Sequence, residues 1–411
     1  MTKSHIQVSE LVMYKFTKSF TQQEPIPQEG IDLAVEIMQT GRLHRYNVLE
    51  GEKSLTDLLE IDFAKYMGID NCLACASCGY ALHIAMRSVG VTSEDKVLLN
   101  AFTLAPVPGA INNIGATPIL VDIDDNLLVN MDDLEKKAKE SGAKYFLLSY
   151  MRGHIPNMDR ILEICSKYNL TLIEDCAHTL GAKWKGKLSG TFGDVACFSS
   201  QTYKHLNSGE GGLLITPHKE VMAKAIIYSG SYMLYSQHQA APNESYFENI
   251  RLDTPNYSGR MDNLRAGILL PQLKKLNEKC QAWKLRYKIV SEILATSKNI
   301  HLIPRSKEED FVPSSIQFNL KNFSAAQIED FVKACEKRGV SLKWFGRDVP
   351  ESYTSKYDSW TYLEDKKELL NTDKVLATLI DMRLPLTFNE EDCDLIANII
   401  IEEANKFKIK K

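Results

Sequence analysis

The sequence predicts an α/β protein: a large domain built on a mostly parallel sheet, followed by a smaller C-terminal α+β domain. Three observations point there. From Asn71 onward short apolar runs alternate with helical periods, the pattern of parallel strands joined by crossover helices. Near residue 261 that alternation gives way to a long helical stretch and then to mixed short elements. The length of 411 residues exceeds one small domain. At roughly 150 residues per domain it allows two or three, or one large α/β core plus a smaller unit.

Residues 1–30 read as irregular, with Pro25 and Pro27 near their end. Residues 30–40 read as an amphipathic helix, with Ile31, Ala34, Val35 and Met38 on one stripe. Strands are expected at 96–100, 117–123, 144–150, 170–176, 194–200 and 211–216. Helices are expected at 81–89, 131–141 and 158–168. The large domain therefore spans 31–260 and the small one 261–411. The small domain opens with a helix over 262–296, kinked at Pro271, and continues with a strand at 315–319 and helices at 325–338 and 391–407. Sheets of this kind bind ligands at the carboxyl ends of their strands, so the residues after each strand are the ones to inspect.

Composition narrows the function. Lysine and arginine total 49 against 53 aspartate and glutamate, a net charge of −4 without the basic footprint of a nucleic-acid or anionic-membrane binder. Nine scattered cysteines argue against a disulfide framework and for a reducing, cytoplasmic setting. The N-terminus lacks a signal-peptide apolar core, and no run approaches the ~20 apolar residues of a spanning helix. No metal, membrane or nucleic-acid partner is expected.

The strongest local signal is Leu172-Ile-Glu-Asp-Cys-Ala-His178, a strand ending in polar residues. Phe198-Ser-Ser-Gln-Thr-Tyr-Lys204 and Gly209-Glu-Gly-Gly212 follow it. An acid at one strand end and a lysine beyond a neighbouring strand suit pyridoxal phosphate (PLP) chemistry. The lysine amine forms a Schiff base with the cofactor, and the carboxylate keeps the pyridine nitrogen protonated. Taken singly, Lys204 could be a solvated lysine and Asp175 a helix cap. A phosphate site changes the balance: Ser77 fits an N-cap before a helix, where free N–H groups and the helix dipole hold an anion.

Together these segments resemble the DegT/DnrJ/StrS-type sugar aminotransferases, PLP enzymes of fold type I (aspartate-aminotransferase-like). The resemblance runs from about Gly30 to Leu273 and fades beyond. It implies that Lys204 holds PLP, that Asp175 pairs with the pyridine nitrogen, and that His178 touches the ring hydroxyl. It implies phosphate contacts from Ser77, Cys78, Gly79 and Ser199, with Ser258 contributed by the other subunit of a homodimer. The donor is then an amino acid, glutamate by resemblance, and the acceptor a keto-sugar or related carbonyl compound. Several positions depart from the family's pattern. Cys78 and Gly79 replace a Gly and a Thr, and Leu104 stands where an aromatic residue commonly stacks on the ring, with Phe102 two positions earlier. Tyr150-Met-Arg152-Gly153 replaces a His-x-Tyr-Gly segment, and Ser258-Gly-Arg260 replaces Asn-x-Arg. Gly41-Arg-Leu-His-Arg-Tyr46 is more basic than usual. Arg42, Arg45, Arg152 and Arg260 are accordingly the candidate substrate ligands, reading an anionic group on the acceptor.

Rival readings are weaker. Ser77 within Cys75-Ala-Ser-Cys-Gly79 lacks the first glycine of a hydrolase nucleophile elbow. Cys72, Cys75 and Cys78 begin an iron–sulfur spacing without a fourth nearby ligand. A non-catalytic PLP-binding regulator lacks a helix-turn-helix or basic patch. Some relatives carry histidine at the lysine position and dehydrate sugars; counting from Phe198 places Lys204, not His205, there and favours transamination.

Overall fold

In a computed structural model, residues 14–352, 356–363 and 368–407 are described. Residues 1–13 of the segment expected to be irregular lie outside them; 14–27 carry no helix or strand.

The chain begins with α1 (Gln28–Thr40) and α2 (Leu55–Met67), the latter opened by a capping box between Ser54 and Asp57. There follow β1 (Asn71–Cys75), α3 (Cys78–Ser88), β2 (Lys96–Asn100), α4 (Pro106–Ile114) and β3 (Thr117–Val121). Next come α5 (Met131–Ser141), β4 (Tyr145–Ser149), α6 (Met158–Tyr168) and β5 (Thr171–Asp175). The short β6 (Lys183–Trp184) and β7 (Lys187–Leu188) precede β8 (Val195–Ser199), β9 (Gly212–Thr216) and α7 (Lys219–Ser229). Asn130 and Asn157 cap α5 and α6 by accepting first-turn N–H bonds, which is why those helices start where the sequence predicts.

The central sheet runs β1-β9-β8-β5-β4-β2-β3. All its strands are mutually parallel except β9, which is antiparallel to both neighbours. The carboxyl ends of β1, β2, β4, β5 and β8 therefore open on one edge. Apolar layers cover both faces, one containing Phe63, Phe146 and Phe198, the other Leu82, Ile111 and Ile226. Strands buried on both faces read as continuous apolar runs such as Leu172-Ile173 and Leu213-Leu-Ile215, which made them visible in sequence.

Then come α8 (Asn263–Lys274) and α9 (Leu276–Leu294). The single helix expected over 262–296 is two. It holds through Pro271 and breaks at Lys275, whose φ of −97° and ψ of 3° leave the helical range. α8 packs on α1 and α2, whereas α9 packs on the last helix, α12 (Glu390–Asn405). A second, antiparallel sheet has the order β10 (Ile300–Leu302), β12 (Ser315–Leu320), β14 (Leu379–Arg383), β13 (Lys343–Trp344). β11 (Glu309–Asp310) instead pairs with β6. α10 (Ala325–Lys337) packs on α12, and α11 (Leu370–Leu376) leads into β14. Phe16 and Phe20 join this layer edge-on against Phe388.

The apolar stripe of α1 is mostly turned outward. Ile31, Val35 and Met38 are exposed, at 42%, 40% and 56%, and the helix packs through Gly30 and Ala34. At Gly30 a Cβ would come within 3.2 Å of the Pro271 ring and 3.3 Å of the Ile268 carbonyl oxygen. Small residues let α1 approach α8 closely and turn the larger apolar side chains outward. Among the described residues no helix is long and apolar enough to cross a membrane.

Candidate active site

A cavity of about 430 Å³ lies at the carboxyl edge of the central sheet. Ser77, Cys78 and Gly79 line it from the start of α3, and Ser199 and Lys204 from the segment after β8. Asp175 and His178 enter from the end of β5, and Arg152 from the turn after β4. Arg383, at the end of β14, closes it from the second sheet.

The Lys204 amine lies 3.0 Å from His178 Nε2. Protein surrounds it, although some of its surface faces the cavity. Burial first, and then the Arg152 guanidinium, bring its pKa down to about 8, against an opposing pull from Asp175. Burial likewise pushes His178 well below the ordinary histidine range, helped by the positive charges of Lys204 and Arg152. A neutral imidazole thus faces an amine that is readily deprotonated, the state a nucleophilic lysine needs.

Asp175 is buried, and burial raises its carboxyl above the usual carboxylate range. Ser149 Oγ donates to Asp175 Oδ2 at 2.8 Å and accepts from Thr103 Oγ1 at 2.7 Å. The backbone of Ser149 is itself fixed by Asn100, whose side chain accepts from the Ser149 N–H at 2.9 Å and donates to its carbonyl at 3.0 Å. Three adjacent strand ends thereby aim one carboxylate into the cavity, where a cationic ring nitrogen would relieve its burial. The neighbouring Glu174 points the other way. It is buried, its pKa raised by burial, and it accepts from Tyr150 Oη and from the N–H groups of Gly190, Phe192 and Gly193. Glu174 anchors the loop that returns to β8.

Opposite Asp175, the Ser77 side chain accepts from the Tyr80 N–H and caps α3, as the sequence predicts. β9 closes on this cap: a Cβ on Gly212 would come within 2.5 Å of the Ser77 carbonyl and 2.6 Å of the Cys78 nitrogen. Only glycine permits that approach. The first-turn N–H groups of α3 and the Ser199 hydroxyl form an anion-holding end, with Lys204 and Asp175 deeper in the same cavity. This donor set fits PLP: an anion cradle, an amine and a buried acid converge on one cavity.

Other residues singled out in the sequence lie elsewhere. Leu104 lines the cavity, but Phe102 is fully buried and packs edge-on against Phe345 at 5.3 Å. Arg152 lines it and pairs with Asp381 at 2.7 Å; its φ of 55° is an unusual left-handed conformation for a non-glycine residue. Arg45 is corrected: it is buried away from the cavity, bonded to Glu60 at 2.7 and 2.8 Å and to Asp57 at 3.1 Å. His238 Nε2 joins this cluster 2.8 Å from Glu60 and 3.0 Å from Arg45. Burial opposes the charge on Glu60, yet Arg45 and His238 hold its pKa down at about 2. The guanidinium sits among three groups close enough together to ligate a metal. Arg42 bonds to Glu52 at 2.5 Å and does not line the cavity. Ser258 is exposed and 3.3 Å from Tyr232 Oη, while Arg260 donates to the Gly230 carbonyl; both lie outside this chain's cavity. His205 bonds to the Leu180 carbonyl at 2.9 Å and leans on Trp283, outside the cofactor cavity.

Sequence reasoning missed Ser149, Gln201, Tyr203 and Arg383 among the cavity residues. Ser149 ends a strand and was open to notice as such; nothing local marks Arg383, which arrives from the second sheet.

The sheet order, the second antiparallel sheet and the cavity between them define a fold type I PLP-transferase fold. The chain belongs to the DegT/DnrJ/EryC1/StrS aminotransferase family, whose model matches residues 30–401 and so continues through the region where the motif resemblance fades. It is 34% identical over 217 residues to GDP-perosamine synthase of Caulobacter vibrioides, covering 53% of this chain and 55% of that protein. It is 31% identical over 258 residues to the spore coat polysaccharide biosynthesis protein SpsC of Bacillus subtilis, covering 62% and 63%. The matches thus span little more than half the length of these relatives. Helicobacter pylori PseC, an aminotransferase involved in the biosynthesis of pseudoaminic acid, superposes with a TM-score of 0.81 over 96% of this chain and all of that one. At 16% identity it shows the fold alone.

Proposed function

We propose that the protein is a PLP-dependent aminotransferase moving an amino group from an amino-acid donor, glutamate by family resemblance, to a keto-sugar or related carbonyl acceptor. The observation that carries this reading is the Lys204 amine, brought down to about 8 and set 3.0 Å from a neutral His178 beside Asp175. When bound, PLP supplies an electron sink for the carbon from which a proton is removed. Lys204 would hold the cofactor, and its Nζ would serve as the base that takes up and returns the proton. Asp175, oriented by Ser149, holds the ring nitrogen's proton, and His178 accepts a hydrogen bond from Lys204 or the ring hydroxyl. Ser77, Cys78, Gly79 and Ser199 would hold the phosphate, and Leu104 would be the apolar residue beside the ring. The relatives' names, which concern perosamine and coat polysaccharide, support a sugar-like acceptor.

A homodimer is part of the proposal. Ser258 lies outside its own cavity, and exposed Ile31, Val35, Met38 and Leu43 offer an apolar face for a second copy. Arg42 and Arg260 act on substrate only across such a boundary. Nine buried free thiols support a reducing, cytoplasmic setting. Arg152, already within the cavity, is the residue proposed to read an anionic group on the acceptor. The test is transfer of nitrogen-15 from labelled glutamate to a panel of keto-sugars, with and without a nucleotide. Labelled amino-sugar is expected. No label transfer from glutamate or any other amino acid, by protein carrying PLP, overturns the reading.

A further inference from the structure

A second cavity of about 400 Å³ adjoins the first. Tyr203 and Arg383 line both, so they form the partition between them. The Arg383 guanidinium stacks 3.8 Å from the centre of the Tyr203 ring, a cation–π contact that holds both side chains in place. Tyr203 immediately precedes Lys204, so the partition stands one residue from the reacting amine.

Behind the partition Phe20, Leu342 and Trp344 share the wall with charged side chains, and the acids among these are engaged. Arg347 is held by Glu329 at 3.0 and 3.2 Å and by Glu351. Asp381 accepts from Arg152 at 2.7 Å and from Gln317 at 2.7 Å. Lys343 Nζ donates to the Glu351 carbonyl at 2.6 Å. Among the described residues the lining carries three cations, Lys343, Arg347 and Arg383, against two carboxylates, Asp381 and Glu351, each already bonded to a guanidinium. Burial brings the Lys343 amine down to about 8, against the opposing pull of Asp381 and with smaller contributions from Arg152 and Arg347. An anion beside Lys343 would supply the countercharge that offsets the burial of its ammonium.

We propose that the second cavity is an oxyanion subsite for the acceptor, in which Arg383 and Lys343 bind a phosphate or carboxylate of the acceptor while its carbonyl reaches Lys204 past Tyr203. The inference rests on the proposed transamination and deepens it. With the cofactor in the first cavity, an acceptor at Lys204 has the second cavity next to it, and the shared wall of Tyr203 and Arg383 gives its far end a direct path there. A guanidinium and an ammonium together satisfy the lone pairs of an oxyanion better than either alone.

The test uses protein saturated with PLP, so that the cofactor already fills the phosphate cradle at Ser77. Inorganic pyrophosphate and succinate are titrated separately by calorimetry. One of them should bind saturably, and which one identifies the anion as phosphate or carboxylate. Lys343→Met should weaken that binding at least ~10-fold, as loss of a charged hydrogen bond does, while the charge-preserving Lys343→Arg should stay within a few-fold. Lys374→Ala, an exposed lysine far along α11, controls for general charge. No saturable binding of either anion, or equal affinity in Lys343→Met and the unaltered protein, overturns the subsite. The glutamate-driven change in cofactor absorption is followed separately without added anion. Its absence counts against the transaminase reading and leaves the binding result standing.

Discussion

If burial and Arg152 set the Lys204 amine near 8, uptake of PLP by the apoprotein should follow that titration. Only the neutral amine attacks the cofactor aldehyde. At pH 7 an amine with a pKa of about 8 is neutral about one time in ten, whereas an ordinary lysine at 10.5 is neutral about one time in 3,000. The site therefore accelerates capture at neutral pH by about 300-fold through ionisation alone. The sign follows from the cause: lowering a lysine pKa moves the onset of reactivity to lower pH. Stopped-flow absorbance of PLP binding between pH 6 and 10 should show a rate rising about tenfold per pH unit and levelling near pH 8. Arg152→Met removes a repelling cation and takes from Asp381 the guanidinium that offsets its charge, so both effects should move the inflection upward. A rate that keeps rising with unit slope beyond pH 9.5, or an inflection unmoved or lowered in Arg152→Met, refutes the reasoning.

Two further outcomes follow from the packing. Asp175→Asn should slow turnover by about 100-fold or more, because an amide cannot hold the ring nitrogen's proton, and Ser149→Ala should slow it about tenfold while Ser149→Thr restores most of it; steady-state rates on folded, PLP-loaded variants check the order. Arg45→Met should cost about 3–5 kcal/mol of stability, since the buried Glu60 and Asp57 would lose their guanidinium and keep only His238 and the hydrogen bonds from Ala74 and Ser54, and denaturant unfolding that matches the unaltered protein would show that the cluster contributes nothing.

The central strands were legible because they are buried on both faces, so Leu172-Ile173 and Phe146-Leu-Leu148 appear as unbroken apolar runs between turn residues. The direction of β9 was not, since a run such as Leu213-Leu-Ile215 reads alike in either sense and only its pairing with β1 and β8 decides it. α1 was found, but the direction its stripe faces was not legible: Gly30 makes the close contact with α8, Ala34 is buried, and the larger apolar side chains are exposed. Lys204, Asp175 and Ser77 stood out as each follows or ends a strand within a few residues. Arg45 was misread because its partners, Asp57 and Glu60, lie on the following helix, and a charged loop residue looks solvated until that helix folds over it. Arg383 depends on two sheets meeting, information no local pattern carries.

The central claim is that Lys204 is the amine that holds the cofactor. Borohydride reduction of the PLP-loaded protein, followed by peptide mapping, tests it directly. A pyridoxyl group on Lys204 alone, absent in Lys204→Ala, is the predicted result; a pyridoxyl group on any other lysine, or none on Lys204, contradicts the account.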